Sequence, residues 1–140
     1  MKFKKFIFYF LSFTWGILLT LVGLVVAGVL LLAGKKPKKD CWCWIFEVGE
    51  DWGGLNLGIV ILTDKDPSVY TKVHEVGHAI QNCMWGLLMI FVITIPSAIR
   101  YWYRELKYHR KGKCPPTDYE DIWFEDQATS LGLALMYELL

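Results

Sequence analysis

The sequence predicts a mainly α-helical α+β protein held at a membrane, and three observations predict it. An apolar run from Phe6 to Gly34 carries no charged residue, and a β-branched and aromatic stretch over 41–63 is broken by glycines. Two later segments, opening at Asp66 and at Thr117, begin with helix-start residues. A chain of 140 residues holds one small domain beside such an anchor.

Taken as a helix, the run Phe6–Gly34 reaches about 40 Å, more than the ~30 Å of a bilayer core. It suits one tilted span and is too short for two. A cleaved signal peptide would have an apolar region of only about 7–15 residues and a small-residue cleavage site. This run instead ends in Gly34-Lys35-Lys36-Pro37-Lys38-Lys39 and reads as an uncleaved transmembrane anchor. The expected division is residues 1–40 as basic N-terminus and anchor, and 41–140 as a compact domain with a membrane-associated segment at 84–99. Gly16 with Thr20, and Gly23 with Ala27, have small-xxx-small spacing, which points to a helix-mediated homo-oligomer.

The net charge of +1 conceals segregation. Bases cluster at Lys2–Lys5, Lys35–Lys39 and Arg100–Lys113, beside the apolar runs. That placement favours lipid headgroups as partners, not nucleic acid. The larger basic load follows the anchor, so the domain is expected on the cytoplasmic side. Four cysteines in no paired spacing read as reduced thiols, which suits that side.

Past the anchor, the apolar stretch Cys41–Glu47 and the run Leu55–Thr63, separated by glycine-rich and acidic residues, suggest a hairpin of two strands. Asp66 then serves as a helix cap and Pro67 as the first helical residue. From Val76 to Ile99 there is no Asp, Glu, Lys or Arg, so this helix continues into an apolar segment that Pro96 should end or kink. Arg100–Lys113 mixes aromatics with bases, as an interfacial helix does. Thr117-Asp118-Tyr119-Glu120 has capping-box spacing for a last helix running to about Leu139.

Two of the three histidines fall in His74-Glu75-Val76-Gly77-His78. Residues four apart share a helical face, so both imidazoles can meet one metal ion, and Glu75 beside them can move a proton to and from a water. A third ligand is required. His109 stands among Arg104, Lys107, Arg110 and Lys111, where a cation is disfavoured. Glu125 is the better choice, because positions 125, 128, 129 and 132 read Glu, Ala, Thr, Gly on one face. Such a face packs closely on a partner helix, and Gly77 eases the approach. Asp126 and Asp121 are the fallbacks.

The patterns H-E-x-G-H-x-x-Q and E-x-x-A-x-x-x-G resemble the gluzincins, membrane-associated zinc peptidases in particular. Small bacterial and phage membrane proteins carrying HExGH are also similar. The gluzincin resemblance covers about 18 residues and implies one zinc ion on His74, His78 and Glu125, with Glu75 as general base. Thr129 departs from the pattern, standing where many of those peptidases have Asp.

The leading expectation is therefore a membrane-bound zinc metallopeptidase acting on a peptide or protein substrate. The alternative is a non-catalytic membrane protein in which a structural zinc staples two helices; a third is a regulatory or holin-like protein with a fortuitous motif. Tyr119, Tyr137 and His109 are the candidates for stabilising the oxyanion. Because both halves of the metal site must lie at one depth, segment 84–99 is expected to be re-entrant or interfacial and not to cross.

Overall fold

The computed structural model describes residues 2–140. The N-terminal apolar run is not one straight helix. It forms α1 (Lys2–Phe13) and α2 (Ile17–Leu32), which meet at 89°. At the bend, Gly16 meets a buried amide 66 residues away. Asn82 donates from Nδ2 to the Gly16 carbonyl at 3.1 Å, and a Cβ on Gly16 would stand 2.4 Å from that nitrogen. Thr14 caps the end of α1 by donating to the Phe10 carbonyl. The absence of a side chain at Gly16 lets the Asn82 amide reach that carbonyl, a bond worth about 1 kcal/mol.

Among the described residues, no single helix is long and apolar enough to cross a membrane. Two bent pairs meet that length and composition jointly: α1 with α2, and the segments Val69–Leu88 and Ile90–Lys111. The small-residue face of α2 is used inside the chain. Thr20, Gly23 and Ala27 are buried, and a Cβ on Gly23 would stand 2.1 Å from the Leu57 carbonyl oxygen. That face is therefore packed within the chain.

The sheet has four strands, β1 (Lys38–Asp40), β2 (Cys43–Glu47), β3 (Gly54–Leu57) and β4 (Val60–Thr63), in the order β1-β2-β4-β3. The expected hairpin between 41–47 and 55–63 is replaced by a tighter one within 54–63. Gly58 takes φ +72°, and the Asn56 side chain bonds both its N–H and its carbonyl at 3.0 Å. The backbone folds back there, so β4 inserts beside β2 in parallel and β3 becomes a sheet edge. Lysines at Lys38 and Lys39 occupy the opposite edge, where charge discourages pairing with another chain.

Phe8 of α1, Ala27 of α2, Ile45, Phe46, Val60 and Ile61 of the sheet, and Val76 and Ala79 of the next helix form one core. The boundary expected at residue 40 thus separates segments that share a core. The motif helix α3 (Val69–Trp85) starts one residue after Ser68, whose hydroxyl accepts from the Thr71 N–H at 3.0 Å. Asp66, the expected cap, has φ +49° and lies in the preceding turn with Pro67.

Gly86, at φ +55°, ends α3. A 3₁₀ turn (Gly86–Leu88) and a π-helical turn (Ile90–Thr94) lead into α4 (Ile95–Lys107), with Pro96 in its first turn. The chain reverses by 116° across this break, so 84–99 is no straight span. The last helix, α5 (Trp123–Leu139), begins later than the capping box suggested. Ile122 precedes it without a side-chain cap, and Glu120 is engaged elsewhere.

Candidate metal centre

α3 and α5 come together on small residues. A Cβ on Gly77 would stand 1.7 Å from the Ala128 carbonyl oxygen, and one on Gly132 would stand 1.9 Å from that of Val73. This close approach brings His74, His78 and Glu125 to one point between the helices. His74 Nε2 and His78 Nε2 are 3.2 Å apart, and Glu125 Oε2 lies 3.0 Å from the first and 3.2 Å from the second. All three residues are buried.

The hydrogen bonds behind the rings fix which nitrogens face inward. Thr129 Oγ1 donates its one hydrogen to Glu120, so it accepts from His74 Nδ1 at 2.9 Å. Gln81 uses its amide N–H groups on the Phe124 carbonyl (2.8 Å) and Gln127 (2.9 Å). Its oxygen is left to accept from His78 Nδ1 at 2.7 Å. Both rings thus carry Nδ1–H and turn Nε2 toward Glu125.

Once His78 gives up the proton on Nε2, two imidazole lone pairs and a carboxylate converging within 3.2 Å form a set of acceptors that a cation satisfies. Four ligands around an ion at bonds of about 2.0–2.1 Å stand roughly 3.3 Å apart, close to the separations observed. Glu125 Oε1 is in addition buried without a protein partner. The residues therefore fit a small divalent cation, although their arrangement does not by itself identify zinc.

Burial opposes ionisation of Glu125, but the approach of the His74 and His78 imidazoles outweighs it and holds the carboxyl well below its usual range. His78 is also perturbed. Burial lowers its pKa, while Glu125 and Glu75 raise it further, with a net upward result. The two groups behave as an ion pair in the metal-free protein. Glu75 is pushed upward, chiefly by burial, against the smaller opposing effect of the two histidines.

The Glu75 carboxylate lies against Gly54, where a Cβ would stand 2.6 Å from Oε1. Any larger residue at 54 would displace it. Both line a cleft of about 500 Å³ walled by the β3 edge, by α3 and by the inner row Met89, Ile93, Ser97 and Tyr101. Tyr119 closes the end beside His74, with ring centres 6.4 Å apart.

Of the other residues considered from sequence, Asp121 and Asp126 are exposed, and His109 lines the cleft but is not among the ligands. Tyr137 is 74% exposed and does not line the cleft. Sequence reasoning assigned Glu120 to a capping box and missed its bond to Thr129. The available signal was Thr129 itself, one helical turn after Glu125 and lacking the carboxylate that the resemblance calls for there.

Compared with family models, with curated proteins and with solved structures, the chain matches none.

Proposed function

We propose that the protein is a membrane-associated, zinc-dependent metallopeptidase. The observation that carries this reading is the position of Glu75. It is the carboxylate next to the His74–His78–Glu125 triangle, and it lines the open cleft, whereas Glu125 is wholly buried. A staple between helices requires neither a second carboxylate there nor a cleft reaching the ligands.

His74, His78 and Glu125 would hold the ion, which when bound polarises a carbonyl and makes a water easier to deprotonate. Glu75 would take a proton from the attacking water and return it to the leaving amine. Burial raises its pKa, which makes its carboxylate a stronger base for the first transfer. The free edge of β3 offers backbone groups to an extended peptide along the cleft. Tyr119, at the cleft end, presents a hydroxyl to the carbonyl oxygen as charge develops; burial raises its pKa, so it stays protonated as a donor.

Membrane association rests on the outer surface. Phe10, Leu21, Val25 and Val29 of α1 and α2, and Phe91, Ile95 and Ile99 of the 84–99 segment, are all exposed. Basic residues flank these apolar faces, as they do at a lipid boundary. The cytoplasmic side remains the proposed location of the cleft, on the same distribution of bases.

Zinc-loaded protein and its Glu75→Gln variant, each incubated with unfolded casein, test the reading. Cleavage by the first and loss of at least ~10²-fold in the second, at equal zinc content, are expected. Equal zinc with no cleavage by either would contradict hydrolysis and leave the structural staple.

A further inference from the structure

His74 is oriented from behind by a group on another element. Its Nδ1–H meets Thr129 Oγ1 at 2.9 Å, and Thr129 passes its own hydrogen to Glu120 Oε1. The same oxygen accepts the Tyr70 hydroxyl from the first turn of α3. Thus a carboxylate stands behind the histidine, but through an intervening hydroxyl. A ligating imidazole usually leans on such a carboxylate or a carbonyl, which sets its tautomer and raises its basicity. Thr129 by itself has no charge to supply.

Glu120 belongs to the loop between α4 and α5, and that loop is braced by two arginines of α4. Arg100 donates to the Tyr119 carbonyl from Nε at 3.2 Å and to the Asp118 carbonyl at 2.9 Å. Arg104 donates to the Thr117 carbonyl at 2.7 Å. Both guanidinium groups also stack on the Tyr119 ring, each 5.7 Å from its centre. Four consecutive residues, Thr117 to Glu120, are therefore held between α4 and the metal centre.

We propose that Glu120 is a positioning residue for the metal ligand His74, acting through Thr129, and that Arg100 and Arg104 hold it in register. The pair Thr129–Glu120 does the work of a single aspartate at position 129. This inference rests on the metal-binding reading given above, but it assigns a role to residues that donate no ligand to the metal. Its physical consequence is that the loop and α4 contribute to metal affinity without donating a ligand.

The test is zinc affinity of the full-length chain in detergent, measured by competition with a chromophoric chelator. Glu120→Ala and Thr129→Val should each weaken binding by about 10–100-fold. The double variant should be no weaker than either single one, because both break the same chain of hydrogen bonds. Thr129→Asp placed in the Glu120→Ala background should restore affinity, since the aspartate would reach His74 directly. Far-UV circular dichroism of the metal-free variants checks folding, and the aspartate rescue separates orientation of His74 from general damage.

Wild-type affinity in Glu120→Ala, additive losses in the double variant, or failure of Thr129→Asp to rescue would each overturn the proposal while leaving the metal site standing. A wild-type chain that binds no zinc would overturn the metal reading, and this inference with it.

Discussion

Gly77 of α3 faces the backbone of Ala128 on α5 with no room for a side chain, since a Cβ there would stand 1.7 Å from the Ala128 carbonyl oxygen. The obstacle is backbone, which cannot rotate away as a flexible side chain would. The proposed metal ligands depend on this approach, because His74 and His78 come from one helix and Glu125 from the other.

Gly77→Ala should therefore push the helices apart and act on stability and metal binding together. Overpacking of this kind costs about 1–3 kcal/mol or more. A lowered thermal midpoint in the metal-free protein, with weakened zinc uptake, is expected. An unchanged midpoint would show that α3 and α5 do not approach this closely.

The ion pair of Glu125 with His78 predicts how metal uptake depends on pH. The pKa of His78 is raised in the metal-free protein, so it keeps a proton on the face that would receive the ion to a higher pH than a free histidine. Zinc must displace that proton. Affinity should fall as pH drops through the raised value, and loading near neutrality should release a proton. Calorimetry in buffers of different ionisation enthalpy measures this directly; a heat independent of buffer would contradict it.

Asn82 meets the bend between α1 and α2. Asn82→Ala removes its bonds to the Gly16 carbonyl and the Thr20 hydroxyl, at a cost of about 1 kcal/mol. Because Asn82 is not among the residues behind His74 or His78, zinc stoichiometry should survive while thermal stability falls. Loss of zinc with unchanged stability would reverse that assignment.

The exposed apolar faces of α1, α2 and the 84–99 segment predict that the protein stays with membranes through alkaline carbonate extraction. Release into the soluble fraction would contradict the lipid-boundary reading.

Much of the candidate site was legible in the sequence, and for local reasons. The spacing of His74 and His78 is a property of one helix, and Glu125, Ala128 and Gly132 mark a face of small residues around one acid. What was not legible depended on distant partners. The bend at Gly16 meets Asn82, and the turn at Gly58 is shaped by Asn56 and by Thr20 of α2, whose Oγ1 would lie 2.6 Å from a Cβ there. Glu120 had capping-box spacing, but Thr129 and Tyr70 compete for its carboxylate and draw it away from the helix end. A local pattern names what a residue can do, and the fold decides which of those options it takes.

The most direct test of the proposed metal centre is metal analysis of the detergent-purified protein beside His74→Ala and Glu125→Ala. The account predicts near one zinc per chain in the wild type and loss of most of it in both variants. Near-stoichiometric zinc surviving both substitutions, or none in the wild type, would contradict it.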